Sequence, residues 1–155
     1  MNLAHVHLLL NHIPVLGTGF GLILFIVALL RKSEELRKAC HGTFVVVALL
    51  AIPAYLTGDP AERVVKNLPG VSKSIIEAHD DAASASLIAL SILGVVSMVG
   101  FILMWKSRPV PQWFTILLLA LALIVTGMMA WTANLGGQIR HTEVRSGAAA
   151  PTPSD

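Results

Sequence analysis

The chain has 155 residues, of which 55% are hydrophobic and 13% charged, with a formal net charge of +2. That apolar share excludes an ordinary water-soluble domain, and the scattered lysines and arginines exclude the one-sided basic surface of a nucleic-acid binder. A single cysteine, Cys40, excludes both an intramolecular disulfide and a haem attached covalently through a Cys-x-x-Cys-His motif.

The apolar residues fall in four blocks, each read as a helix able to cross a hydrocarbon core of about 30 Å, which takes roughly 20 helical residues. Span 1 runs from Leu8 to Leu30. It exceeds signal-peptide length, and neither a positive n-region nor a small-residue cleavage site accompanies it, so it is read as a retained helix. Pro14 offers no N–H to the carbonyl of Leu10 and predicts a kink near the outer end of this helix. Gly17 and Gly21 stand at GxxxG spacing, which lets helix backbones approach closely in lipid.

Span 2, from Thr43 to Leu56, is the shortest; its helix is expected to begin near Ala39 and to bring His41 to the membrane edge. The loop that follows contains Asp59-Pro60-Ala61-Glu62, the chemistry of a helix start: an acidic N-cap, a proline in the first turn and a capping-box glutamate. A short amphipathic helix to about Asn67 is expected there, closed by Leu68-Pro69-Gly70. Ser72 or Ser74 then starts the helix of span 3, whose apolar part covers Ala82 to Trp105 and whose first turns project above the bilayer. Pro109 and Pro111 mark a tight turn into span 4, from Trp113 to Leu135. From Ser146 to Asp155 the chain is Ser, Gly, Ala, Pro, Thr and a final Asp, without apolar periodicity, and reads as a disordered tail. The expected fold is therefore all-α: residues 1–145 form a four-transmembrane-helix up-down bundle with a short amphipathic helix between spans 2 and 3, and residues 146–155 form the tail.

Arg31, Lys32, Arg37 and Lys38 follow span 1, and Lys106 and Arg108 follow span 3, all in short connections. The positive-inside rule assigns those connections to the cytoplasm and both termini to the other side. Trp105 and Trp113 bracket one membrane surface and Tyr55 and Trp131 approach the other, where amphipathic rings settle.

Six histidines, His5, His7, His12, His41, His79 and His141, are unequally divided by this topology, and only His41 lies on the cytoplasmic side. At about 1.5 Å per residue, His7, His79 and His141 stand roughly 36 to 42 Å above the cytoplasmic helix ends and His12 about 28 Å above them. Ionisable groups near membrane depth are costly and usually face a bundle interior, so a ligand role is expected for at least two of these rim histidines. Two histidines between membrane helices suit a b-type haem iron held from both sides. Arg140, Arg63 and Lys66 are placed to meet its propionates, since a guanidinium pairs well with carboxylate. His7 and His12 are about 140° apart around a helix and cannot face one iron, so if both are ligands they serve two centres.

The stretch His7-Leu8-Leu9-Leu10-Asn11-His12-Ile13-Pro14 resembles the opening motif of a family of small four-helix bacterial membrane proteins, in which a first histidine is followed by a His-x-Pro. Glu77-Ala78-His79 and Gly136-Gly137-Gln138-Ile139-Arg140-His141 are similar to that family's histidine of the third helix and its closing Gly-Gly before a histidine, although His141 follows the glycine pair more closely than the pattern has it. The resemblance implies a b-type cytochrome membrane subunit of the bacterial inner (cytoplasmic) membrane. It implies His7, His12, His79 and His141 as axial ligands, four serving two bis-histidine haems and fewer serving one. The redox partner would be a cytochrome, a quinone or a larger membrane complex, and a homo- or hetero-oligomer fits the same picture. Two other functions compete: a divalent-metal site of His79 with Glu77, Asp80 or Asp81 and a histidine of span 1, and a structural accessory subunit whose histidines touch only partners or lipid headgroups. No nucleophile-base pair suggests an enzyme.

Overall fold

The computed structural model describes residues 2–145, and every regular element among them is helical: α1 (Leu3–Leu10), α2 (His12–Leu30), α3 (Glu34–Leu56), α4 (Gly58–Val65), α5 (Lys73–Trp105), α6 (Gln112–Arg140) and a single 3-10 turn at Thr142–Val144. The tail expected from Ser146 to Asp155 lies outside the described residues. Four stretches, Leu3–Leu30, Glu34–Val65, Lys73–Trp105 and Gln112–Arg140, are long and apolar enough to cross a membrane.

The expected break at Pro14 is present. α1 and α2 divide at Asn11, one turn before the proline, because the Leu10 carbonyl finds no N–H at position 14. α1 packs on α3 and α4. α3 begins at Glu34, more than a turn before the expected Ala39. Ser33 adopts an extended conformation and its Oγ accepts from Leu36 N at 3.3 Å, while Glu34 and Glu35 place negative charge in the first turn. Apolarity alone misplaces this start, since a capped polar turn prolongs the helix beyond its apolar block. α4 starts at Gly58, so Asp59 lies inside its first turn rather than capping it, and it ends at Val65, short of Asn67. α5 starts directly after Ser72, as expected.

α2 and α5 end in the same way. Ser33 N donates to Ala28 O at 3.1 Å and Arg108 N to Leu103 O at 2.8 Å, closing each helix with a Schellman-type wrap. The wrap requires a left-handed residue, which is Lys32 (φ 51°) in one case and Ser107 (φ 52°) in the other.

α3 packs against α2 and α5, and α6 packs against α5 and α2, so the four long helices enclose one core. Phe25, Phe44, Leu90, Leu93, Leu118 and Val125 fill it, each no more than 1% exposed. A Cβ at Gly17 would lie 2.5 Å from Val47 Cγ2 and one at Gly21 2.6 Å from Phe44 Cε1, so the GxxxG pair serves the contact between α2 and α3. Outward positions are as apolar as inward ones: Leu16, Phe20, Ile23, Leu49, Ile88, Val95 and Ile116 are all at least 60% exposed. An apolar surface of that extent suits lipid and not water.

Candidate functional site

His7 sits on α1 where that helix crosses the end of α3. The last four carbonyls of a helix have no partner within it, and Ala54 O is one of them. His7 Nδ1 lies 2.9 Å from Ala54 O and 3.3 Å from Thr57 Oγ1. The Thr57 hydroxyl donates back to Pro53 O and Ala54 O at 2.9 Å each, so the helix end and the imidazole are fixed together. Because a carbonyl only accepts, the short contact assigns the ring proton to Nδ1 and leaves Nε2 with a free lone pair.

His79 is held in the same sense by a different pair of helices. Its Nδ1 donates to Thr132 O on α6 at 3.0 Å, and its ring is half-buried. A carbonyl oxygen has two lone pairs, so Thr132 O can serve its own helix and the imidazole together. Gly136, one turn further along α6, makes room for the ring: a Cβ there would lie 3.0 Å from His79 Cε1. A histidine that ligates a metal usually donates its second ring N–H to a carbonyl or carboxylate, and both His7 and His79 do.

The other expected ligands are placed differently. His12 is exposed on α2, with Nδ1 at 3.2 Å from Leu8 O of the preceding turn. His141 is exposed beyond the end of α6, with Nδ1 at 2.8 Å from Glu143 Oε1. A hydrogen bond from the backbone, joined by that from His141, holds the Glu143 carboxyl below the usual carboxylate range. The structure therefore holds His7 and His79 each in a half-buried, oriented position and leaves His12 and His141 on the surface. Arg63 and Arg140 are exposed in the last turns of α4 and α6, and neither joins a salt bridge among the described residues. Arg145 instead donates to Gln138 O and Ile139 O and caps α6.

No three His, Cys, Asp or Glu side chains converge on a common point among the described residues. A bis-histidine haem needs two ligands, whereas a divalent ion held by histidine and carboxylate ordinarily takes three or four from the protein.

Residues that sequence reasoning passed over complete the site: Thr57 and the Ala54 carbonyl behind His7, and Thr132 with Ser86 behind His79. Ser86 Oγ and Thr132 Oγ1 are 2.9 Å apart and both residues are buried. Isolated hydroxyls inside apolar helices were the available signal, since such groups in lipid bond across helices. At the opposite end of the bundle His41 is 3% exposed, lodged between Phe25 and Phe114 with ring centroids 6.3 Å and 6.4 Å away, and its Nδ1 has no hydrogen-bond partner. No family model, curated protein or solved structure matches the chain.

Proposed function

We propose that this chain is a b-type cytochrome-like membrane subunit that transfers electrons, with haem b held between histidines at the extracytoplasmic end of the bundle. The observation that carries the proposal is the pair of backbone-anchored imidazoles. His7 and His79 each commit Nδ1–H to a main-chain carbonyl, and each keeps Nε2 available. His7 and His79 would hold the first haem. His12 and His141 remain the ligands of a second, and Arg63 and Arg140 would face the propionates. When bound, haem supplies a one-electron Fe(III)/Fe(II) couple. The protein's part is to orient the imidazoles and to keep the surroundings apolar.

The proposal extends to the setting of the site. Contacts in reverse register support an up-down bundle, with Gly17 and Gly21 meeting Val47 and Phe44, and His79 and Ser86 meeting Gly136 and Thr132. α4 carries Asp59, Glu62 and Arg63 alongside Val64 and Val65, which supports an amphipathic helix lying at the membrane surface. Arg31, Lys32, Lys106 and Arg108 at the opposite end support a multi-pass arrangement in a bacterial inner membrane with both termini extracytoplasmic. With the ligands at one end only, a partner must complete any electron path across the bilayer, whether a cytochrome, a quinone or a larger membrane complex, in a homo- or hetero-oligomer.

The test is the visible spectrum of detergent-purified protein, oxidised and dithionite-reduced, with a pyridine haemochrome count of haem per chain. A reduced α band of b type is expected. Absence of a Soret band after expression with ample haem rules the proposal out and turns the question to other metals.

A further inference from the structure

Two turns apart on one face of α5, His79 and Ser86 reach the same residue of α6. His79 Nδ1–H bonds the backbone oxygen of Thr132 at 3.0 Å, and Ser86 Oγ lies 2.9 Å from its side-chain oxygen. The direction of the second bond follows from the third. Thr132 has one hydroxyl proton and donates it to Met128 O at 3.0 Å, so Ser86 must donate to Thr132 Oγ1. The result is a directed chain, from the Ser86 hydroxyl to the Thr132 hydroxyl to the Met128 carbonyl, buried between two helices. Ser86 is 1% exposed and Thr132 9%. A hydroxyl at that depth has no water to turn to, so Ser86 is stranded if the Thr132 hydroxyl is removed.

We propose that Ser86 and Thr132 are positioning residues for His79, fixing the strength of its Nδ1–H bond and through it the donor strength of Nε2; this rests on the ligand role proposed for His79 above. A histidine on one helix bonded to a carbonyl on another is only as well placed as the two helices are. The Ser86–Thr132 link ties α5 to α6 two turns deeper along α5, and Gly136 leaves room for the ring one turn on from Thr132. Three constraints from one turn of α6 thus set one imidazole: an acceptor, a slot and a strut. A firm Nδ1–H bond to a carbonyl increases electron density on the ring and favours the ferric state of a ligated iron. Removal of the strut would loosen that bond, lower the donor strength of Nε2 and make an iron held there easier to reduce.

The experiment uses the full chain labelled with 15N-histidine, both free of haem and loaded with it, in wild type, Ser86→Ala and Thr132→Ser. In haem-free protein the Nδ1–H signal of His79, assigned by its loss in His79→Gln, is expected to move upfield and to exchange faster with water in Ser86→Ala. Thr132→Ser retains the hydroxyl and is expected to match wild type. In haem-loaded protein the midpoint potential rises in Ser86→Ala at unchanged haem stoichiometry and stays at the wild-type value in Thr132→Ser. An unmoved ring signal, or an unmoved potential where haem is bound, overturns the proposal. If wild type takes up no haem, the cytochrome reading fails separately, and the ring signal in haem-free protein still decides whether Ser86 positions His79.

Discussion

An imidazole that is to bind iron must have one nitrogen committed elsewhere, or the ring is free to turn. His7 and His79 meet that condition through main-chain carbonyls, and His5, exposed near the chain start, does not. His7→Ala and His79→Ala are each expected to lower the haem count per chain in a pyridine haemochrome assay, with His5→Ala at the wild-type count. The Gly-Gly pair divides in the same way. Gly136 is in contact with the His79 ring, while a Cβ at Gly137 would meet nothing within 4 Å. Gly136→Val should therefore cost about 1–3 kcal/mol by overpacking and displace the imidazole. Gly137→Ala should gain roughly 0.5 kcal/mol from the restored helix propensity. Thermal melts of the two variants in one detergent would show opposite shifts. The left-handed residues Lys32 and Ser107 give a further prediction. A non-glycine residue there costs about 1–2 kcal/mol and glycine loses part of that in chain entropy, so Lys32→Gly or Ser107→Gly should stabilise by about 0.5 kcal/mol, read as a rise in Tm.

At the scale of elements, proline and hydroxyl chemistry decide where the site residues meet. Pro14 divides α1 from α2, and the divided α1 lies against α3 and α4, where His7 reaches the end of α3. Pro14→Ala restores a hydrogen bond to Leu10 and is expected to continue α2 through Asn11, drawing His7 from Ala54 O. The expected outcome is a lower haem count without a lower Tm; a straightened helix with unchanged haem would show that the kink does not place His7. The sequence carried the kink and the four apolar blocks, because both follow from local chemistry. It also carried His7 and His79 as candidates. What it did not carry was the partner of each ring. Thr132 lies far along the chain from His79, and only packing of α5 on α6 brings its carbonyl within 3.0 Å. Nor could periodicity separate His79 from His12, since both occupy helices near one end of the bundle while one faces a neighbouring helix and the other faces outward.

Across the described residues the surface of the spans is apolar like the core, and the charged groups collect at the two ends. The expected orientation can be tested in a Cys40→Ala background, where Lys32→Cys and Lys66→Cys are labelled separately with a membrane-impermeant maleimide on intact cells. Lys66→Cys should label from outside and Lys32→Cys only after the cells are opened; the reverse pattern would invert the topology. Cys40 itself, 0% exposed with Sγ at 3.5 Å from Gly21 O, should resist the reagent in the folded protein.

Between Ser86 and Ser97 on α5 lie about 16 Å of helix. Its inward positions, Leu90 and Leu93, meet Leu118, Ala122 and Val125, all of them fully buried. No file of hydroxyls bridges that layer, and Thr18 spends its own proton on Pro14 O and Val15 O of its own helix. Among the described residues the buried core of that layer is therefore apolar, and it separates Ser86 and Thr132 near one end of the bundle from Ser97 and His41 toward the other.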